Sequence, residues 1–226
     1  MVDELSPSTS TDNFDFSKIG TILESQEVSL VIKRVFDVVV SVCGLLLLAL
    51  FFLIIAVIIK LDSKGSVFYR QIRVGRYGND FRIFKFRTMI PDADKSGQLI
   101  TVGDDARITK IGRFLRKTKI DELPQIMNIL IGDMSFVGPR PEVRKYVDMY
   151  SEAQQQILLI RPGITDIASI KYRNESELLA LSSNPEKTYC EEIMPSKLNL
   201  NMNYLSDISL INDIKIILTT IISIIK

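Results

Sequence analysis

Histidine is absent from the 226 residues. That removes every Ser-His-Asp and Cys-His nucleophile scheme and every imidazole metal site. Acid–base and metal chemistry must come from carboxylates, lysines, arginines or hydroxyls, and a metal held by oxygen alone is best matched by magnesium, calcium or manganese. Cysteine is scarce: Cys43 and Cys190 show no CxxC spacing, and Cys43 lies in an apolar run. A disulfide framework or thiolate zinc site has no support, and a reducing, cytoplasm-facing domain fits. Net charge is only +1, but it is unevenly placed. The segment before Lys33 holds one base, Lys18, against six acids, Asp3, Glu4, Asp12, Asp15, Glu24 and Glu27, so the remainder carries about +6. That excess suits anionic lipid or a phosphorylated substrate, and it falls short of the concentrated footprint of a nucleic-acid binder. No nucleic-acid partner is expected.

The length allows one good domain plus an appendage. Residues 1–30 read as a flexible polar tail with an acidic start unlike a signal peptide. Val38 to Ile59 is uncharged and matches the ~20 apolar residues that cross a bilayer core, giving a membrane helix over residues 31–60. The alternative is a buried core helix. Bases flank both ends, Lys33 and Arg34 before and Lys60, Lys64, Arg70 and Arg73 after. The positive-inside rule then favours the cytoplasm for both, which a re-entrant helix satisfies and a straight span does not. Ser41 and Gly44 are the only weak points in this stretch, and no proline is present, so a straight span stays open. Asp37 is expensive inside such a stretch unless paired, and Lys33 or Arg34 can meet it on one helical face.

Residues 61–226 form the remaining domain. Val67–Arg73 and Phe81–Arg87 read as two strands around the turn Gly75–Asp80, with basic and aromatic residues alternating as half-buried strands do. Asp92 to Asp105 is polar and reads as a loop. Ala106–Lys117 has a helical period, with Asp105 as N-cap, and a second helix is expected to begin at Asp121 or Glu122 with Pro124 in its first turn. The isoleucine-rich end, Asn212 to Lys226, is too short to span and should lie on the membrane surface or pack against the domain.

Asp121-Glu122 sits between basic residues (Arg113, Arg116, Lys117, Lys119) and an apolar helix. Helix capping alone accounts for such a pair. A carboxylate kept ionised beside arginines can also attack phosphorus, and a helix N-terminus attracts phosphate, so capping and catalysis are compatible. Two loops mount arginines rigidly, Gly138-Pro139-Arg140-Pro141 and Arg161-Pro162-Gly163. Prolines on both sides of Arg140 preset its guanidinium for bidentate phosphate binding, although an ordinary turn gives the same pattern.

Taken in order, Lys33-Arg34 with Phe36-Asp37, Phe84-Lys85-Phe86-Arg87-Thr88-Met89, Asp121-Glu122-Leu123-Pro124-Gln125, Gly132-Asp133-Met134-Ser135-Phe136-Val137-Gly138-Pro139-Arg140-Pro141 and Arg161-Pro162-Gly163-Ile164-Thr165 closely resemble the bacterial sugar transferase family, the monotopic polyprenol-phosphate phosphoglycosyl transferases. The resemblance covers about Val31 to the C-terminus. It implies an enzyme at the cytoplasmic face of the bacterial inner membrane that moves a sugar 1-phosphate from a UDP-sugar to undecaprenyl phosphate and releases UMP. It further implies that Asp121 is the covalent nucleophile, that Glu122 helps to hold Mg2+, and that Lys85, Arg87, Arg116, Arg140 and Arg161 bind phosphates. The chain departs from the pattern at Ala49-Leu50, where the family usually carries Ser-Pro, and at Asp166, where many members have glycine. The expected fold is α+β and mainly helical, with an N-terminal membrane helix, re-entrant by resemblance, a small cytoplasmic catalytic domain and surface-lying amphipathic helices. Membrane lipids are expected partners and a homodimer is compatible. The competing reading is a non-enzymatic membrane scaffold for glycan-assembly proteins.

Overall fold

Thirty-six residues without a proline, dense in leucine, isoleucine and valine, build one unbroken helix, α2 (Glu27–Asp62). At about 1.5 Å per residue it is about 54 Å long. The computed structural model describes residues 19–91, 93 and 105–225. The expected tail up to residue 18 and most of the loop from Asp92 to Asp105 lie outside the described residues. A short helix, α1 (Ile19–Ser25), precedes α2, so the chain is already helical within the stretch read as a tail. The cause is tertiary: Leu23 and Leu30 pack against the main core, and Gln26 exchanges hydrogen bonds with Ser206 O and Ile208 N at 3.0 and 3.1 Å.

Among the described residues α2 is the one helix long and apolar enough to cross a membrane. One stripe of it is buried, Lys33, Asp37 and Ser41 towards the start and Ile55 and Ile59 towards the end. Gly44 continues that stripe, and a Cβ there would sit 2.6 Å from Ile126 Cδ1. Ser41 and Gly44, read as weak points, are therefore contact points with the domain. The opposite face leaves Leu46, Leu47, Leu50 and Leu53 exposed. The expected local pairing of Asp37 is replaced by long-range partners. Lys33 forms a buried ion pair with Asp213, Arg34 donates to Ile129 O and Leu130 O at 2.6 and 3.0 Å, and Asp37 accepts from Phe136 N at 3.1 Å. Neighbouring elements offered these charges full hydrogen-bond partners, which an exposed i, i+4 pair lacks.

After α2 come antiparallel strands β1 (Phe68–Val74) and β2 (Asp80–Phe86), in register Phe68↔Phe86 through Val74↔Asp80. Each is displaced by one residue from the sequence reading. Helix α3 (Lys110–Lys117) starts later than expected. Its N-cap is Thr109, whose hydroxyl accepts from Gly112 N at 2.9 Å, whereas Asp105 is taken up by the guanidinium and N–H of Arg107. Instead of starting an α-helix, Asp121 and Glu122 lie in a short 3-10 helix, Ile120–Gln125, which leads into α4 (Ile126–Ile131).

Strand β3 (Ser135–Val137) pairs in parallel with β4 (Gly163–Thr165). Between them lie α5 (Arg144–Val147) and α6 (Glu152–Gln155). The short helices α7 (Ile167–Lys171), α8 (Glu175–Ala180) and α9 (Pro185–Thr188) follow, then a π-helical turn, α10 (Met194–Leu205) and α11 (Leu210–Ile225). The main core gathers Tyr146, Val147, Ile157, Met202, Leu205 and Ile216. A second one packs Ile55 and Ile59 of α2 on Phe86 and Leu115, tying α2 to the hairpin. The C-terminal segment packs on the domain, with Thr220 and Thr165 hydroxyls 2.6 Å apart, while Ile211, Leu218 and Ile222 stay exposed.

Candidate active site

Asp121 and Glu122 enter from Lys119, whose φ of 58° places a non-glycine residue in the left-handed region. The tight turn that follows points both carboxyls inward. Strand β2 brings Lys85, and Asn128 of α4 holds that strand in place: its Oδ1 accepts from Phe84 N at 2.8 Å and its Nδ2 donates to Arg82 O at 2.9 Å. The amide thus satisfies the free edge of β2 on either side of Ile83, so Lys85 is set against Glu122 at 2.9 Å. Arg140 reaches the same carboxylate from its proline-flanked loop as a two-pronged pair, Nη1 to Oε2 at 3.0 Å and Nη2 to Oε1.

That loop is fixed by two glycines. A Cβ on Gly163 would lie 2.2 Å from Gly138 N, and one on Gly138 would lie 2.5 Å from Arg161 O, so the two motifs cross backbone to backbone. Asp166 completes the arrangement. Its Oδ2 accepts from Arg140 N at 3.0 Å and from Asn201 Nδ2 at 2.9 Å, and its Oδ1 caps α7 at Ser169 N. Nothing in the spacing marked Asp166 or Asn128 as site builders. The Asp-x-x-Ser capping pattern was the one available signal, and it identifies a helix start only.

The two carboxyls have opposite electrostatic surroundings. Burial, with Glu122 alongside, pushes Asp121 up from the usual 3.8 to about 6. Burial also pushes Glu122 upward, but Arg140 and Lys85 outweigh it and hold that carboxyl well below the usual range. Lys85 is lowered by burial, partly offset by Glu122. Glu122 is therefore a fixed anion already matched by two cations. Asp121 is different: it is 6% exposed and its Oδ1 has no hydrogen-bond partner. A buried, poorly solvated carboxylate of raised basicity is a better nucleophile than a solvated one. Lys85, Arg116, Lys119 and Arg140 act on the pair, an excess of two positive charges suited to a diphosphate.

Of the five bases expected to bind phosphate, the structure brings Lys85, Arg116 and Arg140 to the carboxylates. Arg116 also donates to Thr88 Oγ1 at 2.9 Å. Arg87 turns away, donating to Ser63 O and Ser63 Oγ at 2.6 and 2.9 Å. The unpaired carbonyls at the C-terminus of α2 attract a cation, and Arg87 is the nearest one at the strand end. Arg161 also lies elsewhere, donating to Gly132 O at 2.8 Å just past the end of α4.

Among the described residues no three or more Asp, Glu or Cys side chains form a metal cluster. Among those residues a site of three or more such ligands is thus not built in. Mg2+ commonly takes one or two carboxylates plus substrate phosphates. The unpartnered Asp121 Oδ1 and Glu122 Oε2, which carries a single hydrogen bond, fit that smaller requirement.

The profile of a family described as "Bacterial sugar transferase" matches residues 28–226. The chain is 40% identical over 145 residues to the "Uncharacterized sugar transferase EpsL" of Bacillus subtilis, covering 64% of this chain and 71% of that protein. It is 39% identical over 162 residues to the "UDP-N-acetylgalactosamine-undecaprenyl-phosphate N-acetylgalactosaminephosphotransferase" of Aeromonas hydrophila, covering 70% of this chain but only 38% of that longer protein. With the "Exopolysaccharide production protein PSS" of Rhizobium leguminosarum bv. phaseoli it shares 37% identity over 202 residues, 86% of this chain and 95% of the other.

Proposed function

Because the chain belongs to the bacterial sugar transferase family, we propose that it transfers a sugar 1-phosphate from a UDP-sugar to undecaprenyl phosphate, releasing UMP, as a membrane step in polysaccharide assembly. The names of relatives support the substrate classes: the Aeromonas protein above and a "UDP-glucose:undecaprenyl-phosphate glucose-1-phosphate transferase" of Klebsiella pneumoniae, 35% identical over 198 residues. The observation that carries the reading is the buried Asp121 carboxylate with an unpartnered oxygen, beside a Glu122 whose charge is already matched.

In the first step an Asp121 oxygen attacks the phosphorus that bears the sugar. The P–O bond to the second phosphate breaks, and its electron pair leaves with UMP. In the second step a phosphate oxygen of undecaprenyl phosphate attacks the same phosphorus and the Asp121 carboxylate departs, leaving the lipid diphosphate sugar. Ping-pong kinetics follow. Lys85, Arg116 and Arg140 hold the diphosphate, Arg140 in two-pronged fashion, and Glu122 keeps Lys85 and Arg140 aimed before substrate arrives. Asp121 and Glu122 would hold Mg2+, which when bound neutralises charge on the diphosphate.

Membrane association at the cytoplasmic face of the inner membrane, with both ends of α2 on one side, completes the proposal; because α2 is unbroken, it would lie along that face rather than turn back at depth. Its support is that residues 26–37 and 59–63 both bond to the same domain. A straight span would separate them by the bilayer.

Incubation of the protein with a panel of UDP-sugars and Mg2+, without lipid acceptor, tests the chemistry. One sugar should release UMP in amounts close to the enzyme and add one phosphosugar to the intact mass, and Asp121→Asn should do neither. Turnover by Asp121→Asn would exclude the covalent route, and no UMP from any sugar would favour the scaffold reading.

A further inference from the structure

A different cavity is lined by Arg161, which is left out of the active site, together with other bases. It opens where α2 turns from polar to apolar, has a volume of about 30 Å³, and is lined by Lys33, Arg34, Asp37, Arg76, Ser135 and Arg161. Arg34 is anchored through Ile129 O and Leu130 O, Arg76 through Nε to Leu159 O at 2.9 Å, and Arg161 through Nε to Gly132 O. Carbonyl groups thus orient all three guanidiniums without neutralising them. Among the described residues the Nη atoms of Arg76 and Arg161 have no hydrogen-bond partner. Among the described residues that line the cavity the one acid is Asp37, which takes up Phe136 N–H, and of the four lining bases Lys33 is paired with Asp213. Burial pushes the Arg161 guanidinium down, and Arg76 and Arg34 push it the same way, outweighing the nearby Asp37.

We propose that Arg34, Arg76 and Arg161 form a second phosphate-binding site, separate from the Asp121–Glu122 centre, at the mouth of this cavity. The cavity itself holds about one water, so the phosphate sits at the mouth, where all three arginines are half-buried. The free Nη pairs of Arg76 and Arg161 match phosphate oxygens two at a time, while Arg34, whose Nη atoms donate to Ile129 O and Leu130 O, adds its charge. The position argues for a lipid headgroup over a free phosphate as the source. The outward residues of the same helical turns, Val31, Val35 and Val39, are 62, 59 and 55% exposed, so lipid against them puts headgroups at the level of the cavity. The proposal stands apart from the transfer reaction and survives if Asp121 is not a nucleophile.

Arginine-specific modification with phenylglyoxal, read by peptide mass spectrometry on the full chain, tests it. The protein is treated in vesicles of phosphatidylglycerol, in vesicles of a phosphate-free glycolipid, and in neutral detergent with or without inorganic phosphate at matched ionic strength. Arg76 and Arg161 should react about tenfold more slowly when phosphate is present in the lipid, the loss expected from one charge-assisted bidentate contact. Protection by phosphatidylglycerol alone identifies the headgroup, and protection by inorganic phosphate as well identifies a site open to free phosphate. Equal reactivity in all media overturns the site. Arg76→Gln should abolish most of the phosphate-dependent protection of Arg161 while Arg76→Lys keeps part of it; unchanged protection in Arg76→Gln would show that the arginines do not share a ligand.

Discussion

Asp121 carries an energetic cost that its neighbour does not. Its folded carboxyl titrates near 6 against 3.8 when unfolded, so the folded state binds the proton more tightly. The stability this gives is present at low pH and is lost as pH rises from about 4 through 6. Asp121→Asn should therefore stabilise the protein at pH 7.5 by on the order of 2 kcal/mol, with the gain fading towards pH 4, in thermal melts across that range. The same variant should lose at least about 10³-fold in turnover, and wild-type kcat/KM should fall as pH drops below about 6. Glu122→Gln should behave in the opposite way. It strands Lys85 and Arg140 without their anion and should cost about 3 kcal/mol in chemical denaturation. Sequence spacing showed the two carboxyls as equivalent neighbours. Their division of labour depends on Lys85 and Arg140, which come from a strand and a loop far along the chain, and no local pattern encodes that convergence.

The loops bearing Arg140 and Arg161 depend on glycine for a close approach of main chains rather than for turn geometry. Gly163→Ala should cost about 2–3 kcal/mol and weaken UDP-sugar binding more than it slows chemistry, read as the split between KM and kcat. Asn128→Leu should leave α4 intact but release the edge of β2, displacing Lys85; a loss of activity larger than the loss of stability would identify the strand clamp. Legibility at this level followed periodicity. The hairpin and α2 were readable because alternation and a long apolar run are strong local signals. Helix α3 begins later than the periodicity predicts because Asp105, which looks like a cap, is claimed by Arg107. The short helices between residues 144 and 205 left little to read, since their stability comes from a shared core around Tyr146, Met202 and Leu205 rather than from their own sequence. Arg87 and Arg161 stand in motif order beside the bases proposed to bind substrate, and motif order carries no information about which way a side chain turns.

Across the whole molecule, an apolar helix is bound along its length to a polar domain. Lys33→Met would leave Asp213 buried with only Tyr204 for a partner and should destabilise the fold by about 3 kcal/mol, although the substitution makes α2 more apolar. Single cysteines at Ser29 and Ser63, in a chain lacking Cys43 and Cys190, should react with an impermeant thiol reagent from the same side of sealed vesicles. Opposite-side labelling would restore the straight span.

The ties at both ends of α2, Lys33 to Asp213 and Arg87 to Ser63, make the helix a keel rather than a tether. With the exposed leucines in lipid, as proposed, the domain would have no slack with which to follow a separate course. Bilayer thickness would then set the height of Asp121 above the lipid, so a membrane could tune access of a long polyprenol to the carboxylate through its own dimensions.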